Sequence, residues 1–304
     1  MTAFTLKMIA AMSMLIGNIE LIFPMYTPAF FQAIGKVAFP IFAFMIAQGC
    51  THTKDIHKYM TRLGIFALIS EIPFDIAFNR HISADRTYGL YVSFLTNTNA
   101  LYTLFLGAAC IAIYKGLLRK THPWLALLPF SFVPAALVLS FIPYLLVTVM
   151  IFYTAIALYC SHFLPDADAC LVITMKHKVT PFLAAMPLLI TACALSTDFG
   201  AFGVGLIFLL YLGNPSNKTI RAFILIVATL YYYGIDLIID PAYLSLQQLL
   251  YDSRFRLLLF ALVAVLLVHF YNGERGRKVK WTFYAFYPTH IAILITIWYV
   301  YIGM

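Results

Sequence analysis

Long apolar runs, such as the one within Phe255–Phe270, recur from one end of this 304-residue sequence to the other. No other feature restricts the possible folds as much. Only 11% of the residues are charged and 63% are hydrophobic, with a mean hydropathy of +0.90. A soluble domain carries roughly 25% charged residues. Lipid is therefore the expected solvent for most of the chain. In hydrocarbon every backbone N–H and C=O must be paired within the protein, which leaves helices or closed barrels. Barrel strands alternate apolar and polar residues, and these runs do not. The expected fold is all-α: a polytopic transmembrane helix bundle of about 10–11 spans, forming a single integral membrane domain over 1–304. The first apolar segment follows one lysine and resembles a signal peptide, but no small-x-small cleavage site follows it. It is read as a retained first span. Cys50, Cys110, Cys160, Cys170 and Cys193 contain no CxxC pair, so neither a metal site nor a disulfide framework is expected.

A span needs about 20 apolar residues. Spans are expected near 7–24, 28–49, 62–79, 92–114, 124–141, 144–163, 180–196, 199–213, 221–240, 255–271 and 281–301. The charges between them alternate. Lys7 lies on the first side, followed on every second connection by Lys54, Lys58 and Arg62, then Lys115, Arg119 and Lys120, then Lys176 and Lys178, then Lys218 and Arg221, then Arg275, Arg277, Lys278 and Lys280. The other connections carry only Arg80, Arg86, Arg254 and Arg256. The positive-inside rule then predicts a cytoplasmic N-terminus in an inner or plasma membrane. The net charge of +8 is explained by topology. The partner it implies is the bilayer, and no nucleic acid is required.

A few polar residues lie deep in the apolar segments. Lys36 is expected about 12 Å into a helix starting near Pro28. It either snorkels to the interface or holds an anionic group. Glu71 and Asp75 share a helix face at i and i+4 around Pro73, and could neutralise Lys36, share a proton or act in catalysis. His290 lies in the last span, with Tyr287 one turn before it and Pro288 between them. It is either a helix–helix hydrogen-bonding residue or a proton carrier. His52 sits at the cytoplasmic end of the second span, where it could touch a donor molecule. No GxGxxG or P-loop occurs, and no His/Cys/Asp cluster has metal-ligand spacing.

Six segments occur in order: LKMIAAMSMLIGNIELIFP, IGKVAFPIFAFMIAQGCTHT, LISEIPFDIAF, NALYTLFLG, TDFGAFGVGL and FYAFYPTHIAIL. Together they resemble the TraX family of membrane proteins. The resemblance implies a bacterial cytoplasmic-membrane protein linked to conjugative pilin acetylation or fimbrial assembly. It also implies a distant similarity to polytopic acyltransferases that use cytosolic acetyl-CoA. Lys7 matches the basic residue opening the first segment, and Lys36 matches a position that is usually arginine. Glu71, Asp75, Asn99, Asp198 and His290 match polar positions of their segments. One departure stands out. Where the family's first span usually reads Asp-His, this chain reads Gly17-Asn18, and glycine and asparagine cannot supply a carboxylate-oriented base.

The resemblance implies a membrane-integral acyltransferase, with acetyl-CoA as donor, no metal, and a pilin, glycan or small molecule as acceptor. Candidate catalytic positions are Gly17, Asn18, Lys36, Glu71, Asp75 and His290. Candidate substrate- or donor-binding positions are Lys7, His52, Lys54, Lys58, Arg62, Asn99, Asp198 and Tyr287. The Gly17-Asn18 departure leaves open an inactive variant. The alternative is a non-enzymatic transporter or surface-structure assembly protein with an intramembrane proton relay.

Overall fold

The computed structural model describes residues 1–79, 97–119, 188–234, 252–277 and 281–301. Among these residues every regular element is a helix. The expected spans 124–141 and 144–163 lie outside the described residues, and 92–114, 180–196 and 221–240 lie partly outside. Three helical segments are long and apolar enough to cross a membrane: Ala3–Ile22, Phe30–His52 and Thr282–Tyr301. Two shorter apolar helices, Ala100–Lys115 and Gly200–Leu212, accompany them.

Beside an apolar core, the described residues bury several polar groups and expose large apolar ones, unlike a soluble protein. Glu71, Asp75, Asn99, Thr103, Arg221 and His290 are buried. Ile72, Phe223 and Leu266 are each more than 60% exposed. Water would penalise that arrangement on both counts. Lipid accepts the exposed apolar surface, and buried polar side chains such as Asn99 and His290 bond within the protein. The chain is a helical membrane protein.

The chain divides into two units: Met1–His52, Leu68–His81 and Leu209–Met304 form the first, Thr53–Ala67 and Ile82–Phe208 the second. The first unit begins with α1 (Ala3–Ile22), capped by Thr2, whose hydroxyl accepts from the Thr5 amide. Next come α2 (Phe30–Gly35) and α3 (Ala38–His52). The expected continuous helix around Lys36 is not found. Pro40 explains the break: it has no N–H to offer the Lys36 carbonyl four residues back, and its ring crowds that carbonyl. The chain instead tightens, with the Lys36 and Val37 amides bonding to the Ala33 and Ile34 carbonyls. Helix α4 (Ile56–Phe74) contains Pro73 and ends in a π-helical turn, Asp75–Asn79. Helix α7 (Lys218–Thr229) is capped by Asn217, and α8 (Ser253–His269) by Asp252. Helix α9 (Thr282–Tyr301) closes the unit.

In the second unit α5 (Ala100–Arg119) packs on the first part of α4, where the Gly64 backbone meets the Phe105 ring. The start of α6 (Gly200–Leu212) packs on α5, with the Ile207 side chain resting on Gly107.

Candidate functional site

Helix α1 presents two stripes. Leu6, Ala10, Ser13 and Gly17 recur at helical spacing and are buried toward α2 and α3, with which α1 packs. At Gly17 the approach is backbone to backbone: a Cβ there would lie 2.8 Å from the Gly35 Cα, and one on Gly35 would lie 2.9 Å from the Gly17 Cα. Two glycines thus let α1 and α2 touch, as small residues do at membrane helix crossings. The second stripe meets α9. Phe4 packs edge-on against Phe283, the Lys7 ammonium lies 5.8 Å from the same ring, and Asn18 reaches His290.

The Asn18–His290 contact joins residues 272 positions apart. Asn18 Nδ2 lies 2.8 Å from His290 Nε2, and His290 Nδ1 lies 2.7 Å from the Phe286 carbonyl. A carbonyl only accepts, so Nδ1 carries the proton. In the neutral imidazole Nε2 is then the acceptor, and it receives the Asn18 N–H. The ring is held by stacking on Phe286 at 4.8 Å and by the edge of Tyr287 at 5.7 Å. Pro288 lies inside the same turn. The result is a buried imidazole of fixed orientation, with its lone pair directed at α1. Tyr287 is also buried.

Of the other candidates of the first unit, Glu71 and Asp75 are buried, and the π-helical turn that carries Asp75 packs against α9, the helix of His290. Among the described residues no ion pair joins either of them to Lys36. Lys36 is half-buried at the α2–α3 break, next to Gly35. His52 is exposed at the end of α3, its Nδ1 beside the Gln48 carbonyl and the Thr51 hydroxyl.

In the second unit Lys54 and Lys58 are exposed around the start of α4, and Arg62 is half-buried. Lys58 pairs with Asp55 at 3.4 Å. Asp55 also accepts from the Lys58 amide, which holds its carboxyl below the usual aspartate range. Asn99 is a structural linchpin: its side-chain oxygen accepts from the Leu101 amide, and its Nδ2 donates to the Ala67 carbonyl. Asp198 is exposed, and its amide donates to the Thr98 carbonyl. Among the described residues no group of three His, Cys, Asp or Glu could hold a metal ion.

The sequence reading missed Arg221, which it counted as a loop cation. Arg221 is only 2% exposed, on the buried face that α7 forms with Leu225 and Thr229. The signal was available: Arg221 lies four and eight residues before Leu225 and Thr229, a spacing that puts all three on one face of a helix.

A family model described as TraX protein matches residues 3–239. The chain belongs to the TraX family. Over 301 residues this TraX-family chain is 27% identical to "Probable fimbrial assembly protein FimC, serogroup H1" of Dichelobacter nodosus, covering 96% of this chain and 94% of that protein. No solved structure matches it. The TraX match includes Gly17, Asn18, Lys36, Glu71 and Asp75 but ends before His290.

Proposed function

We propose that this TraX-family protein is a multi-pass inner-membrane acyltransferase that acetylates an amine or hydroxyl of a pilin-related or other surface acceptor, with acetyl-CoA as donor. The supporting observation is the His290 geometry. The Phe286 carbonyl holds the proton on Nδ1, so Nε2 keeps the lone pair that a general base needs. When Asn18 yields its place, Nε2 takes the proton of the attacking N–H or O–H. The new C–N or C–O bond forms at the acetyl carbonyl, the thioester C–S bond breaks, and the proton passes from the imidazolium to the departing thiolate. Family membership and the fimbrial-assembly name of the relative support the pilin-related context.

One observation favours a second reading, an assembly protein that performs no chemistry. The Asn18 amide already occupies the imidazole lone pair, as in a purely structural helix clamp. The decisive assay incubates purified protein with radiolabelled acetyl-CoA and a pilin peptide bearing a free N-terminus. In the enzymatic reading label transfers, and His290→Gln lowers the rate by about 10²–10⁴-fold. Asn18→His restores the usual family residue at that position. If neither the wild type nor Asn18→His binds acetyl-CoA or transfers label, the acyltransferase reading fails and the assembly reading stands. Gly17→Asp is a poor partner for this experiment, because its side chain would have to push Gly35 away.

A further inference from the structure

A second buried polar centre lies in the first unit, and neither the acyl-transfer chemistry nor the assembly reading uses it. Arg221 sits in the first turn of α7 with its guanidinium carbon 4.8 Å from the Phe44 ring centre and 5.9 Å from that of Tyr271. Nη1 donates to the Pro215 carbonyl at 3.0 Å, and Nη2 reaches the His269 carbonyl at 3.5 Å, the outer limit of a hydrogen bond. Nε is buried and has no partner. One turn along α3 from Phe44, Gln48 lies beside Tyr271, and its buried Oε1 also has no partner. Among the described residues no carboxylate pairs with Arg221.

The bland account is a staple: arginine stacks on two rings and ties α7 to the last carbonyl of α8. That account leaves a full positive charge balanced by carbonyl dipoles and ring faces without a counter-charge among the described residues, and it leaves an N–H buried without an acceptor. A lipid-embedded cation is normally paired or functional. The surroundings add positive charge rather than cancel it. Tyr271 begins the loop that runs over the start of α1, where the Ala3 and Phe4 amides donate to the Glu274 and Arg275 carbonyls. Gly276 of that loop, at φ +70°, rests against Thr2 and Phe4. Among the described residues this end of the unit therefore carries Lys7, Arg275 and Arg277 together with Arg221, and Glu274 as an acid.

We propose that Arg221 and Gln48 form a binding site for a phosphate-bearing ligand, supplied either as a soluble phosphate or as a phospholipid headgroup. The parallel N–H groups of Nε and Nη2 match two oxygens of one phosphate, in the fork geometry that distinguishes arginine from lysine. The amide oxygen of Gln48 accepts the hydroxyl of a monohydrogen phosphate or of a headgroup. Ligand binding strengthens a weak Nη2 contact, gives Nε its acceptor and supplies the missing negative charge. The inference stands whether or not the protein transfers an acyl group.

The test uses the full chain in phosphatidylcholine nanodiscs, with unfolding temperature as readout, because a ligand that binds only the folded state raises it. One arm titrates inorganic phosphate and pyrophosphate. The other replaces part of the phosphatidylcholine with phosphatidylglycerol. A rise in the first arm identifies a soluble phosphate as the source, and a rise confined to the second identifies a headgroup. In either case Arg221→Lys, which keeps the charge but loses the fork, weakens binding at least tenfold. Gln48→Leu weakens it as well. Arg221→Met separates site from staple: if it folds, it unfolds near the wild-type temperature and no longer responds to ligand. The proposal is overturned if neither arm stabilises the wild type, or if Arg221→Lys and Gln48→Leu respond as the wild type does.

Discussion

Asn18 and His290 satisfy each other inside the protein, so removing either one leaves a buried polar group. Asn18→Leu strips the acceptor Nε2 of its donor, and His290→Phe strips the Asn18 amide of its acceptor. Each single change is expected to destabilise the fold by about 1–3 kcal/mol. The double variant should cost less than the sum, with a coupling of about 0.5–3 kcal/mol. Reversible unfolding in mixed detergent micelles measures all four corners of this cycle, and strict additivity would show that the bond does not form in solution. Asp55 permits a prediction with a sign in pH. The Lys58 amide lowers its carboxyl from the ordinary value. The cap therefore stabilises the start of α4 above the unfolded aspartate pKa of about 3.9, and the stabilisation is lost as pH falls through the lower folded value. Asp55→Asn keeps a capping oxygen without the titration. The difference in unfolding temperature between wild type and Asp55→Asn should be constant near neutrality and shift only in acid.

For the elements, the decisive contact is the crossing of α1 and α2. Gly17→Ala and Gly35→Ala each place a methyl group under 3 Å from a backbone atom of the other helix. Neither backbone can turn aside as a side chain can. Each change is expected to cost about 1–3 kcal/mol. Gly64→Ala makes the useful contrast, since its methyl would meet the edge of the Phe105 ring at 3.3 Å, a side chain able to shift. It should be clearly milder in the same unfolding measurement. The helix starts are satisfied locally: Thr2, Asp55, Asn99, Asn217 and Asp252 each accept from an amide two or three residues on. The break at Lys36 was legible in principle through Pro40, but only by counting four residues back from the proline. The Gly17–Gly35 crossing was not legible, because nothing in two separate glycines says that their helices meet.

For the whole molecule, the charge alternation predicts a direction through the bilayer that labelling can check. Met25, 89% exposed in the loop between α1 and α2, belongs outside. Arg277, exposed in the loop after α8, belongs inside with the N-terminal end of α1. In a cysteine-free background, Met25→Cys should react with a membrane-impermeant maleimide on intact spheroplasts. Arg277→Cys should react only after permeabilisation. The reverse pattern would invert the topology and place the Arg221 centre on the outer face.

Composition and pattern together determined that this chain is helical and lives in lipid: 63% hydrophobic residues point to hydrocarbon, which leaves the backbone helices or closed barrels, and runs that do not alternate exclude the barrel. The ordered segments also disclosed the family and singled out the Gly17-Asn18 departure. Only the tertiary structure decided what that departure does. It set Gly17 against Gly35 and Asn18 against His290, so the altered pair closes one helix crossing and clamps another. It also moved Arg221 from a presumed loop into the interior. The physical reason is the same in each case. Periodicity and solvent preference act along a segment of a few turns and can be read there. A bond across 272 residues depends on which helices become neighbours, and the packing of the assembled bundle settles that.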